Sequence, residues 1–261
     1  MKHERIALRE GRACLETYFQ EWSVELRQSI QRPCVLICPG GGYQMNSDRE
    51  AEPIALAFAS RGFQAAVLRY PVAPARYPEA LFSLAEAAAW LRGHGEENRI
   101  NTAQVTVCGF SAGGHLAASL GAFWNDPSVG LPPACRPDGL VLCYPVIATR
   151  GEFAHQGSAE NVSAGDEAYR DRLNLLERVT ADFPPAFLWH GGGDDCVPPE
   201  NSLLLALELK KHGVPFEYHL FGSGGHGIST CLQETEMPDE VCRAWVGLCR
   251  TWLCRQFDFT P

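Results

Sequence analysis

The segment Val105-Thr106-Val107-Cys108-Gly109-Phe110-Ser111-Ala112-Gly113-Gly114-His115-Leu116 constrains this chain more than any other. A β-branched run enters a Gly-x-Ser-x-Gly pentad, and the helix-forming run Leu116 to Leu120 leaves it. Strand, sharp turn and helix in that order place a serine at the apex of the turn. The glycines have a steric reason, because a Cβ at 109 or 113 meets backbone where strand and helix crowd each other. The turn lifts the Ser111 hydroxyl out of the sheet and above a helix N-terminus. There the Ala112 N–H faces any negative charge that develops on a bound carbonyl oxygen.

The rest of the chain reads as strands alternating with helices. Pro33 to Cys38 is continuously apolar, as a strand buried on both faces should be. It runs into Pro39-Gly40-Gly41-Gly42-Tyr43, where consecutive glycines let the backbone approach a ligand and offer N–H groups. Gly41 and Gly42 are the donors expected to act with Ala112. Ser47-Asp48-Arg49-Glu50 has the spacing of a capping box, but Pro53 favours a helix from there to Ser60. Arg49 and Glu50 then fall in the preceding loop, read as a solvated ion pair. Gln64 to Tyr70 is another buried strand. An alanine-rich helix opens near Pro78 and runs to Arg92, leaving His94 exposed at its end. Leu140 to Tyr144 and Ala186 to His190 are further apolar strands, the second ending in Gly191-Gly192-Gly193-Asp194-Asp195. A helix starts at Asn201-Ser202 and runs to Lys211. Phe216 to Leu220 alternates as an outer strand before Gly224-Gly225-His226-Gly227. Ile6 to about Ile30 alternates loosely, which suggests antiparallel edge strands. In the tail, Val241, Trp245, Cys249 and Trp252 recur at helical spacing as a packing stripe.

This alternation predicts an α/β fold: a mostly parallel sheet with helices on both faces, a three-layer sandwich. Residues 1–261 read as one domain. The stretch 150–179 is polar, helical only over Tyr169–Arg178, and too poor in apolar residues for a core of its own. It reads as an insertion over the mouth of a site.

Ligands of such sheets bind at the carboxyl ends of the strands. The loops there carry Gly41, Gly42, Ser111, Asp194 and His226. A serine hydroxyl is a poor nucleophile until a neutral imidazole takes its proton, and a carboxylate must orient that imidazole. His226 has glycines on both sides and is the candidate base. Asp194 and its neighbour Asp195 are alternative acids. His115 and His190 are expected to be structural, the latter bonding locally, and His219 is a strand residue.

A net charge of −9 with no basic cluster disfavours nucleic acid and anionic membrane surfaces as partners, so neither is expected. Eleven cysteines without CxxC pairs, several in apolar runs, fit buried free thiols rather than a disulfide framework or zinc site. With no apolar leader or spanning segment visible, a cytoplasmic protein is expected. No metal or organic cofactor is called for, and the oligomeric state is not readable.

Pro39-Gly40-Gly41-Gly42-Tyr43, Ser47-Asp48-Arg49-Glu50, Gly109 to Leu116, Val197-Pro198-Pro199-Glu200-Asn201-Ser202 and Gly225-His226-Gly227 occur together here. As a set they resemble the small carbohydrate-esterase branch of the α/β-hydrolases, acetylxylan esterase-like or feruloyl-esterase-like. That branch lies near the hormone-sensitive-lipase and prolyl-oligopeptidase groups. The resemblance runs from about Pro33 to Gly227. It implies an α/β-hydrolase fold, a Ser111–His226–Asp194 triad with the acid three residues before Val197, and hydrolysis of short acyl esters on small molecules or oligosaccharides. Pro39 stands where lipase-type loops carry histidine, a change the backbone donors tolerate. The run His190 to Asp194 is richer in glycine than the pattern. Tyr43, Phe110 and Trp124 would form an aromatic rim for a sugar ring, with ordinary core packing as the alternative. A serine peptidase using the same groups, and a binding module on a decayed scaffold, are the competing readings.

Overall fold

The apolar runs around Val35, Val67, Val107, Val141 and Leu188 form the centre of one sheet. A computed structural model describes residues 1–26 and 29–261 of the chain. Its strands are β1 (Arg5–Leu8), β2 (Ala13–Tyr18), β3 (Arg32–Cys38), β4 (Gln64–Arg69), β5 (Ile100–Phe110), β6 (Gly139–Cys143), β7 (Ala186–Gly191) and β8 (Phe216–Phe221). They make an eight-stranded sheet in the order β1-β2-β4-β3-β5-β6-β7-β8. From β4 to β8 every pairing is parallel, while β1 and β2 are antiparallel. The expected edge strands are therefore present, ending with a bridge at Phe19. Residues 20–26, 29 and 30 form no strand, and the part of that expectation covering Arg27 and Gln28 lies outside the described residues.

Successive residues of the central strands face opposite sides, and both sides are covered. Leu36, Leu68, Val107, Leu142 and Leu188 pack with side chains of α2 (Glu79–Gly93), α3 (Ala112–Phe123) and α6 (Glu200–Lys211). Val35, Ile37, Val67, Cys108, Val141 and Trp189 pack on the other side with α1 (Glu52–Ala59) and α7 (Trp245–Gln256). The three-layer arrangement follows directly from these two cores. In α7, Trp245, Cys249 and Trp252 are buried as the stripe requires, but Val241 is 55% exposed. It precedes the helix in a turn, so the helical period does not extend to it.

The 150–179 stretch contains two helices, α4 (Gln156–Ser163) and α5 (Glu167–Arg172), then a 3-10 turn at Leu175–Glu177. The first was not legible in the sequence. His155 caps it through its ring nitrogen, an atypical start signal. Val162, Leu173, Leu175 and Val179 from this stretch join the main core, so it is anchored to the domain by its own apolar residues.

Candidate active site

Parallel β3, β5, β7 and β8 all end on one edge of the sheet, and the loops after them carry the candidate residues. Ser111 sits between β5 and α3 with φ +52°, a left-handed conformation that costs a serine energy and marks a sharply turned backbone. Both pentad glycines are required. A Cβ on Gly109 would lie 2.2 Å from the Gly113 carbonyl oxygen, and one on Gly113 would lie 2.1 Å from that of Cys38.

Ser111 Oγ lies 2.7 Å from His226 Nε2, and His226 Nδ1 lies 2.7 Å from Asp194 Oδ2. Residues 83 and 32 positions apart are thus brought into one hydrogen-bonded line: Ser111 and Asp194 are each 5% exposed, and the His226 side chain is 19% exposed. Asp195 points to solvent, so geometry separates the two neighbouring acids.

Burial works against the Asp194 charge. Hydrogen bonds from His190 and His226, the His226 charge and the Val197 N–H outweigh it and hold the carboxyl well below its usual range. His190, wholly buried, was expected to bond locally and does so: its Nε2 lies 3.2 Å from Asp194 Oδ2 and 3.0 Å from the Val197 carbonyl. A carbonyl only accepts, so Nε2 carries the proton, and Nδ1 takes the Ser202 hydroxyl at 2.8 Å. The N–H groups of Cys196 and Val197 also bind Asp194 Oδ1, which offsets the glycine-rich approach to this loop.

In the loop after β3, Gly41 and Gly42 adopt positive φ. Among the described residues, the N–H groups of Gly41, Gly42 and Ala112 donate to no protein acceptor. The Gly40 N–H, by contrast, is bound to Glu50 Oε2 at 2.7 Å. This carboxylate departs from the sequence reading. Glu50 is 2% exposed, not solvated, and its oxygens take the Gly40 N–H and, at 2.7 Å, the Tyr144 hydroxyl. Burial raises the Glu50 pKa, against the opposing pull of these two bonds. A capping-box spacing hid it, because spacing does not reveal where a side chain points.

The three aromatic residues do not form a rim. Phe110 is fully buried against Tyr144 and Trp245, as the inward side of β5 dictates. Tyr43 is 3% exposed and bonds His115 Nδ1 through its hydroxyl at 2.9 Å. Trp124 closes the far end of α3, about 20 Å along the helix from Ser111, where its indole donates to the Asp182 carbonyl and Arg136 lies over its ring. His115 is structural as expected, its Nε2 on the Leu173 carbonyl at 3.0 Å. His94 is half-buried rather than exposed, stacked on Trp90.

Residues from the 150–179 stretch reach the site instead. Asn161 donates to the Gly42 carbonyl at 2.9 Å, and His155 Nε2 lies 3.7 Å from Cys196 Sγ beside the acid loop. Among the described residues no cluster of His, Cys, Asp and Glu is arranged to hold a metal, and no helix is long and apolar enough to cross a membrane.

A family profile described as an alpha/beta hydrolase fold matches residues 35–230. The chain is 32% identical over 228 residues to endo-1,4-beta-xylanase B of Butyrivibrio fibrisolvens, covering 84% of this chain but 35% of that protein. It thus spans about a third of the length of that relative. Among solved structures, an acetyl ester-xyloside bifunctional hydrolase from Caldicellulosiruptor lactoaceticus superposes with a TM-score of 0.82 at 37% identity, over 95% of this chain and 89% of that one. A carboxylesterase from Lactobacillus plantarum superposes with a TM-score of 0.88 at 26% identity over the full length of both.

Proposed function

The chain belongs to the alpha/beta hydrolase family, and from that premise we propose that it is a serine esterase cleaving short acyl esters, acetyl above all, carried on carbohydrates. The observation that carries this reading is the unbroken line Ser111 Oγ–His226–Asp194, with both contacts at 2.7 Å. His226 takes the Ser111 proton as the hydroxyl attacks the ester carbonyl, then returns it to the departing alcohol. Asp194 fixes the Nδ1–H tautomer and stabilises the imidazolium. The Gly41, Gly42 and Ala112 N–H groups receive the oxyanion, each such donor being worth about 3 kcal/mol in the transition state. Water then repeats the sequence on the acyl-enzyme.

The similarity to an acetyl ester-xyloside hydrolase supports an acetylated sugar as substrate. The α4 segment, bonded to the Gly42 loop, serves as a fixed cap over the acyl side. Eleven unpaired cysteines support a reducing compartment, the cytoplasm. The test is hydrolysis of p-nitrophenyl acetate, butyrate and octanoate and of acetylated xylo-oligosaccharides, by wild type and Ser111→Ala. Acetyl esters should be cleaved fastest and the variant should lose activity by about 10⁴-fold or more. A folded Ser111→Ala protein with full esterase activity would refute the reading, and faster cleavage of aminoacyl amides would turn it towards a peptidase.

A further inference from the structure

Glu50 belongs to none of the catalytic groups, yet it is the buried carboxylate nearest the oxyanion loop. A Cβ built on Gly40 would lie 2.7 Å from Glu50 Oε2 and 2.9 Å from Ser111 Cβ. A single glycine therefore separates the carboxylate from the nucleophile's side chain. Its two oxygens hold two different parts of the site. Oε2 binds the Gly40 N–H immediately before Gly41 and Gly42, and Oε1 binds the Tyr144 hydroxyl. Tyr144 in turn accepts the Ser229 N–H at 3.0 Å, three residues beyond His226. Its ring meets the His226 ring edge-on with centroids 5.1 Å apart. The Ser229 hydroxyl also donates to the Arg49 carbonyl, closing the circuit back to the Glu50 turn.

We propose, on the premise of the esterase reading, that Glu50 is a positioning residue that couples the oxyanion loop to the base. With one oxygen on the Gly40 N–H and the other on the Tyr144 hydroxyl, it fixes the aim of the Gly41 and Gly42 N–H groups. Through Tyr144 it also sets the floor on which His226 turns. In its ionised form its negative charge, added to that of Asp194, favours the imidazolium formed during attack. The groups facing it are Tyr144 at the end of β6, His226 on the loop after β8, Arg49 on its own turn and Tyr70 at the end of β4. Of these, Arg49 is the standing cation and its side chain is exposed; His226 becomes positive only as it takes the Ser111 proton.

The test compares wild type, Glu50→Gln, Glu50→Ala and Tyr144→Phe by the rate of Ser111 labelling with a fluorophosphonate, followed from pH 5 to 9, and by kcat and KM for p-nitrophenyl acetate. Glu50→Gln keeps the volume and an acceptor for Gly40 but removes the charge. Its plateau labelling rate should fall about tenfold and its acidic limb should move to lower pH, since loss of a neighbouring anion disfavours the imidazolium. Glu50→Ala should lower kcat about 100-fold with KM within threefold, and Tyr144→Phe should lie between. Far-ultraviolet circular dichroism and melting temperature monitor folding, and Glu50→Gln decides the matter if the alanine variant is unstable. A folded Glu50→Gln protein with wild-type plateau and limb overturns the positioning role alone. A wild type that takes no label at Ser111 overturns the esterase reading, and this proposal with it.

Discussion

Asp194 and Asp195 show how two identical side chains acquire different chemistry. One is enclosed and receives two imidazoles and two backbone N–H groups; its neighbour faces water. Asp194→Asn should cut kcat by about 10⁴-fold, because the wrong tautomer of His226 then faces Ser111. Asp195→Asn should stay within threefold, and steady-state kinetics on p-nitrophenyl acetate separates the two. His115 carries a different consequence. Burial pushes its pKa down from 6.5 to about 4. With Tyr43 donating to Nδ1 and Nε2–H donating to Leu173, the neutral ring is fully satisfied. Between those pH values the unfolded chain binds a proton that the folded chain refuses. The His115 contribution to stability is therefore complete above pH 6.5 and declines as the pH falls towards 4, by up to about 1.4 kcal/mol per pH unit. Urea titrations from pH 8 to 4 should show that slope in wild type, and His115→Gln should flatten it. Asp194 has the depressed pKa of a carboxylate, so its share of stability is present above the usual carboxylate range and is lost only at more acid pH.

At the scale of elements, the elbow between β5 and α3 tolerates no added atom. A methyl group on Gly113 would meet the backbone oxygens of Cys38 at 2.1 Å and of Pro39 at 2.4 Å, neither of which rotates away. Gly113→Ala should destabilise the protein by several kcal/mol or prevent soluble expression, read as urea midpoint and yield. The α4 segment makes a milder case. Asn161 bridges it to the Gly42 carbonyl, so Asn161→Ala removes one hydrogen bond worth about 1 kcal/mol. It should slow acetyl-ester turnover several-fold while leaving the fold intact, as kcat against melting temperature would reveal.

Over the whole molecule, two cores clamp one sheet, and the one that contains Tyr144 lies beneath His226. Trp245 of α7 stacks on Trp189 of β7 at 5.2 Å and touches Phe58 and Phe110 edge-on. Tyr144, packed on Trp189 and Phe110, carries that layer up to His226. Trp245→Ala should cost about 3–5 kcal/mol of unfolding free energy and, because the cavity opens under the site's floor, should lower activity before it unfolds the protein. Denaturant melts run beside kcat at increasing urea would show activity lost first.

The strands, the helices on both faces, the elbow and the order serine, acid, histidine were legible in the linear chain. Each rests on local rules: continuous apolar runs for strands buried on both faces, glycines where backbones crowd, turns where loops must deliver a side chain. Direction across space was not legible. Glu50 read as solvated and is buried, Tyr43, Phe110 and Trp124 read as a rim and are packed inside or placed at the far end of α3, and the 150–179 stretch hid a helix capped by a histidine. Sequence spacing determines which residues share an element and a face. Which neighbour closes over that face, and so whether a carboxylate meets water or two hydrogen-bond donors, was decided only when distant segments packed together.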